Sequence, residues 1–189
     1  MLNRLRARLD GYLQSLGRAG AKAGLSPTAW TVVGFLLALC SGFSFWAGGY
    51  RGELFGGLLI LASGFFDVLD GAAARAMGKV SKVGGFLDSV LDRVAEVAIF
   101  LGVLAGGYAP PSYVLLALSF SLLVSYARAK GDALGVDLSG IGIGERSERL
   151  IVLALSSLLG LVYYGVILVA VLAGFTLVER VYRAVLHLR

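Results

Sequence analysis

The chain has 189 residues, of which 58% are hydrophobic and only 15% are charged. Its mean hydropathy is +0.83, so too little polar surface remains to cover a soluble globular protein, and the composition predicts an all-α integral membrane protein. A membrane-spanning helix needs about 20 mostly apolar residues, and the length therefore allows roughly six spans. The single cysteine, Cys40, excludes an internal disulfide framework and a cysteine-based metal site.

The first 24 residues differ from the rest of the chain. Leucines alternate with arginines at helical spacing, a pattern that predicts an amphipathic helix over residues 1–24 lying on the membrane surface. A solvated leader helix is the alternative. Charged residues interrupt any apolar core here, so the segment is not a signal peptide. Residues 25–189 are predicted to form one six-helix membrane domain.

Apolar runs separated by short polar turns predict the six spans. Pro27 suits the first turn of the first span, because its missing N–H would be unpaired there anyway. The predicted spans cover about residues 29–48, 53–75, 84–106, 111–131, 147–162 and 165–185.

The positions of lysine and arginine predict the orientation, because the cytoplasmic ends of spans carry an excess of these residues. With six spans, every lysine and arginine except Arg51 falls on or near the side of the N terminus. We therefore expect a multi-pass protein of the cell membrane with both termini and the active site in the cytoplasm. The net charge of +5 follows from this topology and does not indicate a nucleic-acid partner.

Four carboxylates lie on two neighbouring predicted spans. Asp67 and Asp70 are three residues apart and Asp88 and Asp92 are four apart, so each pair shares one face of its helix. A short cytoplasmic loop joins the two spans and brings the four groups together. Carboxylates so close would repel one another, and a hard divalent cation such as Mg²⁺ or Mn²⁺ would satisfy them. The alternative is a set of solvated helix ends paired with basic neighbours, namely Arg75, Lys79 and Arg93.

The residues around these carboxylates are small or basic. Glycine and alanines follow Asp70, and glycines precede Asp88, which leaves room for a ligand beside the metal. Arg75 can donate a fork of hydrogen bonds to phosphate oxygens. The sequence therefore predicts a site for a diphosphate.

Residues 67–92 read DVLDGAAARAMGKVSKVGGFLDSVLD. This segment resembles the signature of the CDP-alcohol phosphatidyltransferases, which is D-x-x-D-G-x-x-A-R, eight further residues and G-x-x-x-D-x-x-x-D. Every fixed position matches, and the six predicted spans preceded by a surface helix are also similar to this family. The resemblance implies an enzyme that transfers a lipid phosphate from a CDP-linked lipid to an alcohol and releases CMP.

The resemblance also implies roles for individual residues. Asp67, Asp70 and Asp88 would bind two Mg²⁺ ions, or Mn²⁺ in their place. Asp92 would be both a metal ligand and the general base on the acceptor hydroxyl. Members of the family are commonly homodimers, so a homodimer is expected. Contacts to the CDP group are implied for Gly71, Arg75, Ser81 and Thr31.

A second polar cluster lies in the fourth and fifth predicted spans and the loop between them. Its basic residues suit an acceptor that carries phosphate, with charge placed only for topology as the alternative. The segment GERSERL resembles the family members that transfer to inositol 1-phosphate, and glycerol 3-phosphate is the alternative acceptor. Asn3 and Gln14 are the only residues with side-chain amides. A low amide content is typical of proteins from hot environments. It favours an archaeal enzyme that uses CDP-archaeol. The predicted acceptor residues are Arg128, Lys130, Arg146, Arg149 and Arg183, with Arg180 as a substitute for the last.

Other classes of function fit the sequence less well. Intramembrane carboxylates also mark proton and cation transporters, but these usually break their helices near the midplane, and no predicted span has an interior proline. A scaffold without chemistry would not explain four carboxylates. Glu96, one turn beyond Asp92, is interpreted as a partner of Arg93 or as a simple ion pair, and His187 as an interfacial residue.

Overall fold

The computed structural model describes residues 27–78 and 81–189, and six α-helices lie within them. Each predicted span overlaps one of these helices, so the all-α class and the six helices are confirmed. The fifth predicted span, 147–162, runs four residues past the end of its helix at Leu158. The amphipathic helix predicted over residues 1–24 lies outside the described residues. The helices are α1 (Pro27–Ala47), α2 (Gly49–Ala76), α3 (Lys82–Ala105), α4 (Pro111–Ala133), α5 (Arg146–Leu158) and α6 (Val162–Leu188).

Four of the described helices, α1, α2, α4 and α6, are long and apolar enough to cross a membrane. Helix α3 has 24 residues but carries several charged side chains. Helix α5 has only 13 residues, which at 1.5 Å per residue gives about 20 Å against a hydrocarbon core of about 30 Å. The protein is therefore a membrane protein, and six complete crossings stay a prediction.

Two left-handed glycines make the tight connection between α1 and α2. Gly48 and Gly49 have φ angles of 77° and 69°, a region that other L-residues rarely adopt. One residue separates the two helices, so they turn back and pack along each other. Further along the pair, Ser63 Oγ donates a hydrogen bond to Gly34 O at 2.8 Å.

Helix α3 lies against α1 at a crossing made by two glycines. A Cβ atom added to Gly102 would collide with the backbone of Gly42. Small residues allow helices to approach this closely in a membrane. As a result α1 packs against both α2 and α3, the two helices that carry the four aspartates.

The remaining helices complete the bundle. Helix α4 packs on α6, and α5 packs on both α2 and α6. Buried apolar side chains from several helices, including Phe45, Phe100, Leu153 and Val166, form one core. At the end of α2 opposite to the aspartates, the buried carboxylate of Glu53 accepts a hydrogen bond from the first backbone N–H of α6 at 3.0 Å.

The outer surface of the bundle is apolar. Large hydrophobic side chains such as Phe43 and Val171 are exposed, as expected where helices face lipid. Trp46, Tyr50 and Tyr164 are exposed near the end opposite to the aspartates. Amphipathic rings of this kind are typical of the membrane–water interface.

Candidate active site

Three of the four aspartates form a compact cluster between α2 and α3. Carboxylate oxygens of Asp67, Asp70 and Asp88 all lie within 4.8 Å of one another. Asp67 and Asp70 are one turn apart near the C-terminal end of α2, and Asp88 lies in the second turn of α3. Asp70 is buried and the other two are half-buried. The two helices thus bring three of the four carboxylates together as their spacing predicted, whereas the fourth, Asp92, is not in this group.

The residues of this cluster fit a divalent cation. Three carboxylates offer the hard oxygen ligands that Mg²⁺ and Mn²⁺ prefer. Asp70 Oδ2 is buried and accepts no hydrogen bond from any described residue. A buried carboxylate oxygen without a partner is costly, and a cation among the three groups would remove that cost.

Asp92 is held by a basic residue from a different helix. Arg146 Nη1 lies 2.7 Å from Asp92 Oδ1 and 3.7 Å from Asp67 Oδ2. Arg146 is the first residue of α5, so this contact joins α5 to the aspartates of α2 and α3. The ion pairing foreseen as the alternative is present in part, because Arg93 Nη1 lies 3.6 Å from Asp92 Oδ2. Lys79 lies outside the described residues.

The four carboxylates line one cleft, together with residues of α1 and α5. The cleft has a volume of about 270 Å³, part of it open to solvent. Thr31 of α1 is a hydrogen-bond partner of the Asp70 carboxylate, and Arg146 forms the α5 side. The lining residues are Thr31, Gly34, Phe35, Ser63, Asp67, Asp70, Asp88, Leu91, Asp92, Ala95 and Arg146.

Ser63 lines this cleft although the sequence did not single it out. Its hydroxyl donates a hydrogen bond to Gly34 O, which also lines the cleft, and this bond joins α1 to α2. Ser63 lies one turn before Asp67 and therefore on the same face of α2. The sequence did contain a signal for Ser63, namely a hydroxyl one turn before Asp67 in an otherwise apolar span.

The predicted CDP contacts lie around the connection between α2 and α3. Gly71 is half-buried beside Asp70, and Arg75 is exposed one turn further on. Ser81 is the N-cap of α3, and its Oγ accepts a hydrogen bond from a backbone N–H in the first turn at 3.0 Å. Of the four predicted contacts, only Thr31 is among the described residues that line the cleft.

The five predicted acceptor residues do not form one group. Arg146 lines the cleft. Arg128, Lys130 and Arg183 are exposed on the last turns of α4 and α6. Arg128 Nε lies 4.0 Å from Asp132 Oδ2 on its own helix, at the limit of an ion pair.

Arg149 requires a correction, because its guanidinium is not available to an acceptor phosphate. Its side chain is 1% exposed and forms an ion pair with Glu96 of α3 at 2.8 Å. It also donates a hydrogen bond from Nη1 to Gly144 O at 2.7 Å. Glu96 therefore belongs to a buried ion pair, which was one of the two interpretations of this residue. Its partner is Arg149 rather than Arg93.

Arg180, the substitute for Arg183, also makes contacts within the protein. Its side chain is buried, and Nε and Nη1 donate to Ile141 O at 3.1 Å and to Val124 O at 2.9 Å. Nearby, Gly144 N donates to Thr176 Oγ1 at 2.9 Å. These bonds fasten the loop between α4 and α5 to α6.

Comparison with known proteins identifies the family. The family model described as CDP-alcohol phosphatidyltransferase matches residues 25–181. The chain belongs to this family. It is therefore a transferase of phospholipid biosynthesis, and the transporter and scaffold interpretations of the carboxylates are no longer needed.

Its curated relatives come from archaea and bacteria. The chain is 39% identical over 184 residues to the archaetidylinositol phosphate synthase of Pyrococcus horikoshii, an alignment that covers 97% of this chain and 96% of that protein. It is 41% identical over 157 residues to the enzyme of that name from Methanothermobacter thermautotrophicus, covering 79% and 78%. The phosphatidylinositol phosphate synthase of Streptomyces avermitilis is 37% identical over 155 residues, covering 77% and 62%.

Solved structures of a relative have the same fold. The phosphatidylinositol phosphate synthase of Mycobacterium tuberculosis with CDP-DAG bound superposes with a TM-score of 0.79 at 27% identity, covering 91% of this chain and 92% of that one. The same enzyme in complex with manganese and citrate gives a TM-score of 0.80 at 26% identity, covering 91% and 88%.

Proposed function

We propose that the protein transfers a lipid phosphate group from a CDP-linked lipid to inositol 1-phosphate and releases CMP, with CDP-archaeol as the favoured donor. One contact carries the proposal: Arg146, within the segment GERSERL, lies 2.7 Å from Asp92 at the edge of the carboxylate cluster. A cation that can bind an acceptor phosphate therefore stands beside the carboxylate that can accept the acceptor's proton.

The donor half of the site is built on α1, α2 and α3. Asp67, Asp70 and Asp88 would hold two Mg²⁺ ions, with Mn²⁺ as the substitute, and Asp92 would complete the ligand set. When bound, such ions neutralise a diphosphate and stabilise the phosphate that departs. Thr31 orients the Asp70 carboxylate.

The nucleotide group of the donor would lie beyond the metal cluster, towards the connection between α2 and α3. Gly71 leaves space beside Asp70, and Arg75 is exposed one turn further on, where its guanidinium can reach phosphate oxygens. The Ser81 oxygen accepts a hydrogen bond as the cap of α3, and its hydroxyl hydrogen is still available to a phosphate.

The acceptor half of the site supplies the base and the counter-charge. The acceptor hydroxyl gives its proton to Asp92 while its oxygen bonds to the phosphorus that carries the lipid. The bond from that phosphorus to the oxygen of CMP breaks at the same time. Arg146 binds the acceptor's own phosphate, and the exposed residues Arg128, Lys130 and Arg183 strengthen the positive field through which it enters.

The curated relatives favour inositol phosphate as the acceptor over glycerol 3-phosphate. Both acceptors carry a phosphate that Arg146 could bind, so the basic residues do not separate them. The names of the relatives concern archaetidylinositol phosphate and phosphatidylinositol phosphate synthases, and glycerol 3-phosphate is retained as the competing substrate. The two kinds of relative differ in the lipid donor, and the amide-poor composition favours archaeol.

The proposal includes the arrangement in the membrane. Both termini and the cleft would face the cytoplasm, because nearly all lysines and arginines lie towards the predicted N-terminal side of the bundle and cytoplasmic ends of spans carry an excess of these residues. A homodimer is the expected assembly. Cysteine labelling from either side of sealed vesicles would test the orientation.

The acceptor is tested by following the label of each candidate into lipid. Purified protein is given Mg²⁺, CDP-archaeol or CDP-diacylglycerol, and radiolabelled inositol 1-phosphate or glycerol 3-phosphate. Label from inositol 1-phosphate should enter the organic phase with an equal amount of CMP released, and CDP-archaeol should be the better donor. The proposal fails if inositol 1-phosphate supports no CMP release with either lipid.

A further inference from the structure

A fully buried ion pair connects α3 to α5 behind the cleft. Arg149 Nη2 lies 2.8 Å from Glu96 Oε1, and the two side chains are 1% and 0% exposed. Arg149 Nε donates to the same oxygen at 3.2 Å, and Nη2 also reaches Oε2 at 3.2 Å. The guanidinium further donates to Ser121 O of α4 at 3.3 Å. The pair is thus enclosed and well bonded on several sides.

The buried pair lies directly behind the residues of the cleft. Glu96 is one turn beyond Asp92 on α3, and Arg149 is one turn beyond Arg146 on α5. The Asp92–Arg146 pair and the Glu96–Arg149 pair therefore join the same two helices, one turn apart. The outer pair, Asp92–Arg146, lines the cleft. The inner pair, Glu96–Arg149, is buried behind it.

Arg149 also holds the backbone that leads into Arg146. Its Nη1 donates to Gly144 O at 2.7 Å, two residues before Arg146. The N–H of Gly144 is bonded to Thr176 of α6, and a Cβ added to Gly144 would lie 2.7 Å from Leu172 O. Gly144, just before α5, is therefore bonded both to Thr176 of α6 and to Arg149 of α5. These two bonds fix the start of α5.

Stability alone does not explain this pair. Moving two charges out of water costs about as much as their attraction returns, so replacing a buried ion pair by apolar residues is often neutral or stabilising. What the apolar replacement cannot supply is directional bonding to a chosen carbonyl oxygen. Arg149 makes two such bonds, to Ser121 O of α4 and, shorter at 2.7 Å, to Gly144 O at the start of α5 beside the cleft.

We infer that Glu96 and Arg149 are positioning residues that set Arg146 against Asp92. The pair fixes the first turn of α5 relative to α3, so that the Arg146 guanidinium stands where the acceptor phosphate must bind. This inference rests on the proposed function, in which Arg146 binds that phosphate. Neither Glu96 nor Arg149 touches a substrate.

The test uses a double variant in which both charges are removed together. A single Arg149→Met change leaves Glu96 charged and buried and is expected to misfold, whereas Glu96→Leu with Arg149→Met leaves a packed apolar contact. We expect this double variant to match or exceed the wild-type melting temperature. Its KM for the acceptor should rise about tenfold or more, while its KM for the CDP-lipid changes less than about twofold.

Two further variants sharpen the test. Arg149→Lys keeps the charge beside Glu96 but lacks the planar fork that also reaches Gly144 O, so it should fold and show the same selective rise in the acceptor KM. Glu53→Leu is the matched control, because it removes a buried carboxylate that bonds Val162 N at the opposite end of the bundle. It should lower the melting temperature and leave both KM values unchanged.

An unchanged acceptor KM in the folded double variant would overturn the inference and leave the pair a purely structural one. An equal rise in both KM values would overturn it as well, since it would mean a general distortion of the site. The identity of the acceptor is determined with the wild-type protein, and the KM ratio is measured with the phosphate-bearing acceptor that the wild type uses. Failure of the inositol phosphate assignment and failure of the positioning role therefore show in different measurements.

Discussion

Two pairs of opposite charges join α3 to α5, one turn apart, and they differ in what surrounds them. The side chains of Arg146 and Asp92 are 17% and 20% exposed and line the cleft. Those of Arg149 and Glu96 are 1% and 0% exposed and are bonded to the protein on several sides. A charged side chain near a cleft can therefore be assigned to a ligand only if it is exposed to the cleft, as Arg146 is and Arg149 is not. We propose that the outer pair takes part in the chemistry and that the inner pair positions it.

The largest effect is expected from a change within the carboxylate cluster that borders the outer pair. Asp70→Asn removes the charge of a buried carboxylate, a proposed metal ligand, whose Oδ2 accepts no hydrogen bond from the described residues. A bound metal contributes several kcal/mol to transition-state stabilisation, so CMP release should fall about a thousandfold or more. Mn²⁺ binding followed by electron paramagnetic resonance should weaken in parallel. Asp137→Asn, on the exposed loop between α4 and α5, is the control and should leave both unchanged.

A second change breaks the outer pair from the acidic side. Asp92→Asn removes the proposed base while keeping the size and polarity of the side chain. General base catalysis contributes about 10²–10⁴-fold, and CMP release should fall by that factor. Mn²⁺ should still bind to Asp67, Asp70 and Asp88, which distinguishes this variant from Asp70→Asn. Wild-type turnover in Asp92→Asn would contradict the assignment of the base.

The third change breaks the outer pair from the basic side. Arg146→Ala should raise the KM for the phosphate-bearing acceptor about ten- to a hundredfold, because a charge-assisted hydrogen bond is worth about 1.5–3 kcal/mol. Mn²⁺ affinity should not weaken, since Arg146 places a positive charge 3.7 Å from Asp67 Oδ2. Arg51→Ala, an exposed arginine at the other end of α2, serves as the control. A loss of Mn²⁺ binding in Arg146→Ala would count against the proposed role.

The smallest effect is expected at Arg128, which is exposed in contrast to Arg149. Its Nε lies 4.0 Å from Asp132 Oδ2, and exposed ion pairs of this kind contribute about 0–1 kcal/mol to stability. Arg128→Ala should leave the melting temperature almost unchanged and raise the acceptor KM by no more than a few-fold. A tenfold increase would mean that the acceptor phosphate lies nearer to α4 than we propose.

The local part of the site could be predicted from the sequence. Helical periodicity places Asp67 and Asp70 on one face and Asp88 and Asp92 on another, and a short connection then brings the two faces together. Of these, three have carboxylate oxygens within 4.8 Å of one another in the structure. Each helix overlaps its predicted apolar run, but α5 ends at Leu158, four residues before its predicted end, and α6 begins at Val162, three residues before its predicted start.

The division of the basic residues could not be predicted in the same way. Arg146 and Arg149 are three residues apart and share a face by any helical rule, but only packing decides which of them is covered. Arg149 is covered because α3 supplies Glu96, 53 residues earlier in the chain. Arg180 is covered for a comparable reason, since its partners Val124 and Ile141 lie on α4 and on the loop that follows it. Partner choice over such separations depends on tertiary structure.

The most direct test of the account is to locate a metal ion in the cleft. Crystals of the wild-type protein grown with Mn²⁺ and a CDP-linked lipid would be measured at the manganese absorption edge. The account predicts anomalous density within about 2.5 Å of oxygens of Asp67, Asp70 and Asp88. Manganese bound elsewhere, with these three carboxylates making no contact to it, would contradict the account.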